Sequence, residues 1–242
     1  MTKPLRIGLI VPSSNTVMEP DFHRQLGQAA IVSTARIFLE SVTREAETRM
    51  LEDDLPKAAA LIRTTAPDVV VFGCTSAGAL GTLAHDNAIG EKIEKLARAR
   101  AITVLHAVLS QLRAIGPRKL AVFTPYIPDL TNGIASSLAE AGFPPLKAAG
   151  MGIQVNLEIG RVTPAEIVDF VESQIEGSAP DCIFLSCTNW RAIEAIEPLH
   201  RKLGIPVVSS NQAALVAVGQ VSDVSDVPIK PDSSALPAYS GD

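Results

Sequence analysis

Asp68-Val-Val-Val-Phe-Gly-Cys74-Thr75 and Asp181-Cys-Ile-Phe-Leu-Ser-Cys187-Thr188 run alike, each passing from an aspartate through an apolar stretch into Cys-Thr, 113 residues apart. The same offset relates Arg6-Ile-Gly-Leu-Ile-Val-Pro12 to Lys119-Leu-Ala-Val-Phe-Thr-Pro125. Strand-helix units resemble one another by composition alone. A single offset that also aligns proline, aspartate and Cys-Thr is a stronger signal, and it describes two similar α/β halves, each ending a central strand in a thiol.

The composition fits that reading. Of the 242 residues 47% are hydrophobic and only 4% aromatic, the balance expected of buried parallel strands covered by helices. The net charge of −5 is spread among interspersed acids and bases. It offers no electrostatic footprint for nucleic acid or an anionic membrane, so an acidic ligand would have to be held by local donors. Residues 1–12 lack the apolar core and cleavage site of a signal peptide, and no run reaches the length of a membrane span. Three cysteines, Cys74, Cys182 and Cys187, form no disulfide pattern, which points to a reduced cytoplasmic setting.

Short β-branched runs alternate with longer amphipathic ones. The pattern predicts strands near 5–11, 31–38, 68–73, 101–105, 119–124, 146–150, 181–186 and 205–209. Helices are expected over 17–28, 45–65, 78–99, 106–115, 129–141, 163–176, 190–203 and 211–219. Thr43 with Glu45 and Glu47 marks one helix start; Thr163-Pro164-Ala-Glu166 marks another with a cap, a first-turn proline and an early acid. The halves divide near Gly116-Pro117 into lobes 1–113 and 114–219, leaving 220–242, rich in Ser, Asp and Pro, as a mobile tail.

In a parallel sheet, ligands bind beyond the carboxyl ends of the strands. Four such ends carry small polar residues: Ser13-Ser14-Asn15-Thr16, Cys74-Thr75-Ser76, Thr124-Pro125-Tyr126 and Cys187-Thr188-Asn189. Amides and hydroxyls in these turns suit a carboxylate. Cys74 stands before a helix start, whose positive end is expected to bring its pKa down from about 8.5 towards neutrality. Read singly, either thiol is equally a small buried hydrophobe; two at equivalent strand ends favour a functional pair. Cys182, inside a strand, is read as core. Tyr126 either donates its hydroxyl to a ligand or anchors a loop. Asn15 and Asn156 are open between turn residues and ligand contacts, Trp190 between cleft wall and packing, and His106 is read as a helix cap. His23, His85, His106 and His200 are scattered without metal-ligand spacing. Neither a dinucleotide fingerprint, a phosphate-binding loop nor a nucleophile elbow is present.

With these residues in hand, the chain resembles the aspartate/glutamate racemase superfamily. The paired strand-end cysteines, Gly8-Leu-Ile-Val-Pro-Ser-Ser-Asn15 and Leu185-Ser-Cys187 are most similar to its maleate cis-trans isomerase and arylmalonate decarboxylase branch, over residues 5 to about 219. The resemblance implies two pseudosymmetric, Rossmann-like α/β lobes with the active site in the cleft between them, no cofactor, and a homodimer or higher homo-oligomer, while the spacing of the residues gives no metal site. It matches Asn15, Cys74, Tyr126, Asn156 and Cys187 to the isomerase pattern. Arylmalonate decarboxylases have glycine at the position of Cys74, whereas Thr75-Ser76 look like the carboxylate-binding hydroxyl pair of racemases and decarboxylases. Ser14 and Thr188 complete the expected substrate-binding set. The activity implied is isomerisation of a small dicarboxylate, maleate to fumarate, through a covalent Cys74 adduct with Cys187 as acid and base. The alternative is two-cysteine racemisation of an acidic amino acid, hydantoin or related α-substituted acid. A third reading, from another class, is a two-lobed binding protein with inert thiols.

Overall fold

The computed structural model describes residues 3–221; of the tail expected over 220–242, residues 220 and 221 belong to the last helix and the rest lies outside the described residues. In the first half the order is β1 (Leu5–Pro12), α1 (Met18–Leu26), β2 (Ala30–Ile37), α2 (Arg44–Arg49), α3 (Leu55–Arg63), β3 (Val69–Phe72), α4 (Thr75–Gly78), α5 (Leu83–Ala97), β4 (Arg100–Thr103) and α6 (Val104–Ile115). The second half follows with β5 (Leu120–Thr124), α7 (Pro128–Glu140), β6 (Lys147–Gly150), α8 (Asn156–Arg161), α9 (Pro164–Ile175), β7 (Cys182–Leu185), α10 (Ala192–Leu203), β8 (Val207–Ser209) and α11 (Ser210–Val221). The strands form two parallel four-stranded sheets, ordered β2-β1-β3-β4 and β6-β5-β7-β8. Helices flank both, which makes this an α/β fold.

The internal repeat is visible at the level of single hydrogen bonds. Asp68 accepts from the Arg6 amide at 2.8 Å, and its own amide donates to the Arg6 carbonyl. Asp181 does the same at Lys119, accepting at 2.9 Å. At the other strand ends Gly73 N donates to Ile10 O at 2.8 Å and Ser186 N to Phe123 O at 2.9 Å. The matched aspartates therefore clamp the starts of β1 and β5 in register, and the residues just before the two cysteines clamp their ends.

Alternation along the strands divides the core. Ile7, Leu9, Val69 and Val71 belong to a cluster that runs through to Val122, Phe184 and Trp190 of the second half. Ile10, Val70 and Phe72 face the other way, under Leu55, Ile62, Ile89 and Ile93. Helices α6 and α11 pack on one another, and each touches both β4 and β8, so the closing helix of each half is shared by the two sheets.

Several boundaries differ from expectation. Strand β4 stops at Thr103 rather than 105, because the Thr103 hydroxyl accepts from His106 N and caps α6. His106 is thus capped rather than capping. The helix expected over 45–65 contains a π-helical turn at Met50–Asp54. The one expected over 78–99 is broken at residues 79–82, where partners from outside take over the backbone: Arg44 donates to Leu80 O, and Glu140 accepts from Leu83 N at 3.0 Å. The short helix α8 had no counterpart in the pattern.

Two local features have measurable consequences. Thr163 and Glu166 form a reciprocal capping box at the start of α9. Thr163→Ala is expected to cost about 1 kcal/mol, lowering the melting temperature by roughly 2–4 °C, read by thermal unfolding. Asp21 of α1 is buried and bonded by Asn211 Nδ2 at 2.8 Å and Arg24 at 3.2 Å, with Arg191 and Glu194 acting from further off. Burial, reinforced by the Glu194 charge, outweighs Asn211, Arg24 and Arg191 and raises its pKa to about 6. The folded state then holds the proton more tightly than the unfolded chain, so Asp21 contributes stability below about pH 4 that is lost as pH rises through about 6. Asp21→Asn removes the buried charge. The variant should exceed the parent in stability by on the order of 1–3 kcal/mol at pH 8 and converge with it near pH 4, in denaturant titrations at the two pH values.

Candidate active site

The polar strand-end turns of the two halves meet. Thr188 donates its hydroxyl to Gly73 O at 2.8 Å and accepts from Asn15 Nδ2 at 3.1 Å. Asn15 Oδ1 meanwhile accepts from the Val17 and Met18 amides at 3.0 Å, which fixes the start of α1. Asn156 Nδ2 donates to Ser14 Oγ at 2.8 Å, and the Ser14 hydroxyl donates to Leu39 O. Asn189 joins the two sets: it accepts from Thr16 N at 2.8 Å and donates to Asn156 O at 2.7 Å. A Cβ at Gly73 would lie 2.4 Å from Met18 Sδ and 2.8 Å from Val11 Cγ1, so a larger residue would have to push these side chains aside.

Within this frame Cys74 sits immediately before α4 and is only 5% exposed; Cys187 is 3% exposed. Cys187 Sγ accepts from Asn189 N at 3.2 Å, is favoured as an anion by the Trp190 amide, and lies against the Tyr126 hydroxyl. Each thiol lies within electrostatic reach of a common group of Glu47, Tyr126 and the other thiol. All expected site residues thus gather at one place. They differ in what they have left to offer. The Thr75 hydroxyl donates to Ser210 at 2.9 Å, and those of Thr188 and Ser14 are also taken up by protein acceptors. Asn15 and Asn156 each use one amide N–H, in the bonds to Thr188 and Ser14. Trp190 is fully buried packing, not an exposed wall.

Glu47 was legible only as an acid in the first turn of a helix. In the fold it is fully buried, with Oε1 accepting from Ser76 Oγ and lying 3.8 Å from Cys74 Sγ, while Oε2 has no partner among the described residues. The available signal was its spacing: it falls four residues after the Thr43 cap, on the side of α2 that meets α4.

The electrostatics reverse one expectation. The Cys74 thiol is raised well above its ordinary pKa, first by burial, then by the Glu47 charge and by Cys187. Helix α4 is a single turn, so its dipole and the Ala77 amide do not offset the desolvation. Burial also pushes Cys187 up to about 12, against the pull of Tyr126 and the two amides, and raises Tyr126 further. Glu47 is raised to about 7 by burial, countered by Ser76, Cys74 and Arg44. Arg44 acts at a distance, its guanidinium bonding Leu80 O and pairing with Asp129 at 3.6 Å. The resting site therefore holds both sulfurs as neutral thiols. Cys182 lies inside β7, fully buried and away from this group.

These features bear comparison with known proteins. A family model described as arylmalonate decarboxylase matches residues 7–228. An arylmalonate decarboxylase of Bordetella bronchiseptica is 32% identical over 209 residues, 86% of each chain. A maleate isomerase of Geobacillus stearothermophilus is 26% identical over 223 residues, 87% of this chain and 88% of that protein. In structure, a maleate cis-trans isomerase mutant of Nocardia farcinica with a covalently bound succinylcysteine intermediate superposes with a TM-score of 0.84 at 22% identity, over 90% of this chain and 93% of that one. The match extends along nearly the whole length, and the chain belongs to the arylmalonate decarboxylase family.

Proposed function

We propose that the protein is a cofactor-independent isomerase that converts a small cis-dicarboxylate, maleate, to its trans isomer, fumarate. The observation that carries this reading is the pairing of Cys74 with Cys187, one from each half, in a single buried polar site. A decarboxylase or racemase needs a sulfur to move protons. Cis-trans isomerisation has a further requirement: the C2–C3 double bond must become single for long enough to rotate. A thiol on one face and an acid on the other supply that. The maleate isomerase relatives, and the succinylcysteine of the Nocardia farcinica enzyme, support the same chemistry.

In this mechanism the spare N–H groups of Asn15 and Asn156 and the hydroxyl of Tyr126 hold the two carboxylates, within turns whose shape Ser14, Thr75, Ser76 and Thr188 maintain. Cys74 attacks as the thiolate, its sulfur electron pair forming a C–S bond at one alkene carbon. The alkene π pair takes a proton from Cys187 at the neighbouring carbon, giving a succinyl adduct. After rotation about the new single bond, the Cys187 thiolate removes a proton from that carbon, the double bond re-forms and the C–S bond breaks back to sulfur. Water exclusion matters here because the carbanionic character at the second carbon would otherwise be quenched at random. The amides of Asn189 and Trp190 aimed at Cys187 stabilise its thiolate during the middle of the cycle.

Cys74→Ser is expected to lower turnover of maleate by at least about a thousandfold without altering thermal unfolding, since an alcohol is far less acidic than a thiol. Cys187→Ala is expected to abolish fumarate formation from maleate, read by NMR, because no thiol remains to protonate the carbon beside the new C–S bond. Cys182→Ala should leave turnover near the parent level. The deciding assay is NMR in D₂O with maleate, acidic amino acids, hydantoins and arylmalonates. Fumarate formed from maleate supports the proposal; α-hydrogen exchange of an amino acid or hydantoin, or CO₂ loss from an arylmalonate, with maleate untouched would reject it.

A further inference from the structure

Glu47 has no assigned task in the reaction above, yet it is the charged group in direct contact with the attacking sulfur. Its Oε1 lies 3.8 Å from Cys74 Sγ, which donates to it, and is held by the Ser76 hydroxyl, itself 3.7 Å from the same sulfur. Its second oxygen, Oε2, is buried without a hydrogen-bond partner among the described residues. A carboxylate this poorly solvated is a structural liability unless it exchanges its charge for something. The carboxylate also opposes the step the reaction needs, because a thiolate formed beside it would place two negative charges in one dry site before an anionic substrate arrives.

We propose that Glu47 is the proton acceptor that arms Cys74, taking the thiol hydrogen on Oε1 as the sulfur becomes nucleophilic. The inference rests on the reading of Cys74 as the attacking thiol. The S–H bond breaks, its electron pair stays on sulfur and goes into the new C–S bond, and the proton forms the Glu47 O–H. When the C–S bond breaks, the pair returns to sulfur and Glu47 gives the proton back. No net charge enters or leaves the site on arming: a carboxylate and a thiol become a carboxylic acid and a thiolate. The Ser76 hydroxyl keeps Oε1 turned to the sulfur in both states. A pKa raised to about 7 suits Glu47 to exchange a proton near neutral pH. The other ionisable groups around it are Cys187 and Tyr126 across the site and Arg44 on its own helix, paired with Asp129; His85, on the neighbouring α5, bonds the Ala77 carbonyl.

The test needs no substrate: alkylation of Cys74 by iodoacetamide, a small neutral reagent, followed by peptide mass mapping from pH 5.5 to 9.5. In the parent the rate should rise with ionisation of Glu47 and flatten above about pH 7. Glu47→Gln should be about tenfold or more slower at pH 7.5 and climb about tenfold per pH unit with no plateau, as expected of a thiol left to bulk hydroxide. Glu47→Asp should keep the plateau at a reduced rate. A carboxylate that merely repels the thiolate gives the opposite sign, because removing a like charge makes the thiol more acidic. Equal or faster alkylation in Glu47→Gln therefore overturns the proposal, and so does a parent profile without a plateau, which needs no variant to fold. A plateau in a protein that leaves maleate unchanged would reject the substrate reading while the proton transfer stands.

Discussion

A single buried hydrogen bond, from the Thr188 hydroxyl to the Gly73 carbonyl at 2.8 Å, joins the residue after one cysteine to the residue before the other. Everything proposed for the site depends on that spacing, because it sets how far apart two sulfurs on separate sheets can be. The bond is shielded from water, so breaking it would strand a carbonyl and a hydroxyl in the interior at a cost of about 1–3 kcal/mol each. Its neighbours reinforce it. Asn15 reaches Thr188 from the first half, and Asn211 bonds both the Thr188 carbonyl and Asp21. The turn that carries Cys187 is thereby held from the turn before α1 and from α11 as well as from its own strand.

The same burial that makes this frame rigid makes the chemistry difficult. Removing water raises both thiols, Tyr126 and Glu47 together. Such a site disfavours a stored thiolate, so in the proposed reaction the nucleophile is generated by moving a proton within the group rather than by losing one to solvent. The backbone amides at Cys187 favour its anion, which in the proposed reaction is needed only while the proton is on the substrate. Rigid positioning and internal proton exchange are two results of one exclusion of water.

Where the pattern misled, competing partners were the reason. Residues 79–82 fall within the helical pattern, yet Gly81 and Thr82 are poor helix formers, and Arg44 and Glu140 bond the backbone at Leu80 and Leu83. Thr103 ended a strand early by capping α6. The dipole argument for Cys74 was sound in kind, but a one-turn helix is too short to outweigh complete desolvation. Glu47 was hidden for a related reason: an acid three or four residues past a threonine is ordinary helix-start chemistry, and only the packing of α2 on α4 turns that side chain inward.

Only the family resemblance assigned Asn15, Tyr126 and Asn156 to the site; from the one-dimensional pattern came the α/β class, the duplicated halves and the strand-end positions of both cysteines, Asn15 and Tyr126. All of these follow from local periodicity and from the rule that parallel sheets present their sites at strand carboxyl ends, information that short segments carry in full. The state of those groups was decided only by the tertiary structure. Which hydroxyls are already engaged, which way Glu47 points, and whether a thiol is acidic depend on neighbours more than a hundred residues away and on how completely they exclude water. Burial is a property of the packed chain and has no representation in any one stretch of it.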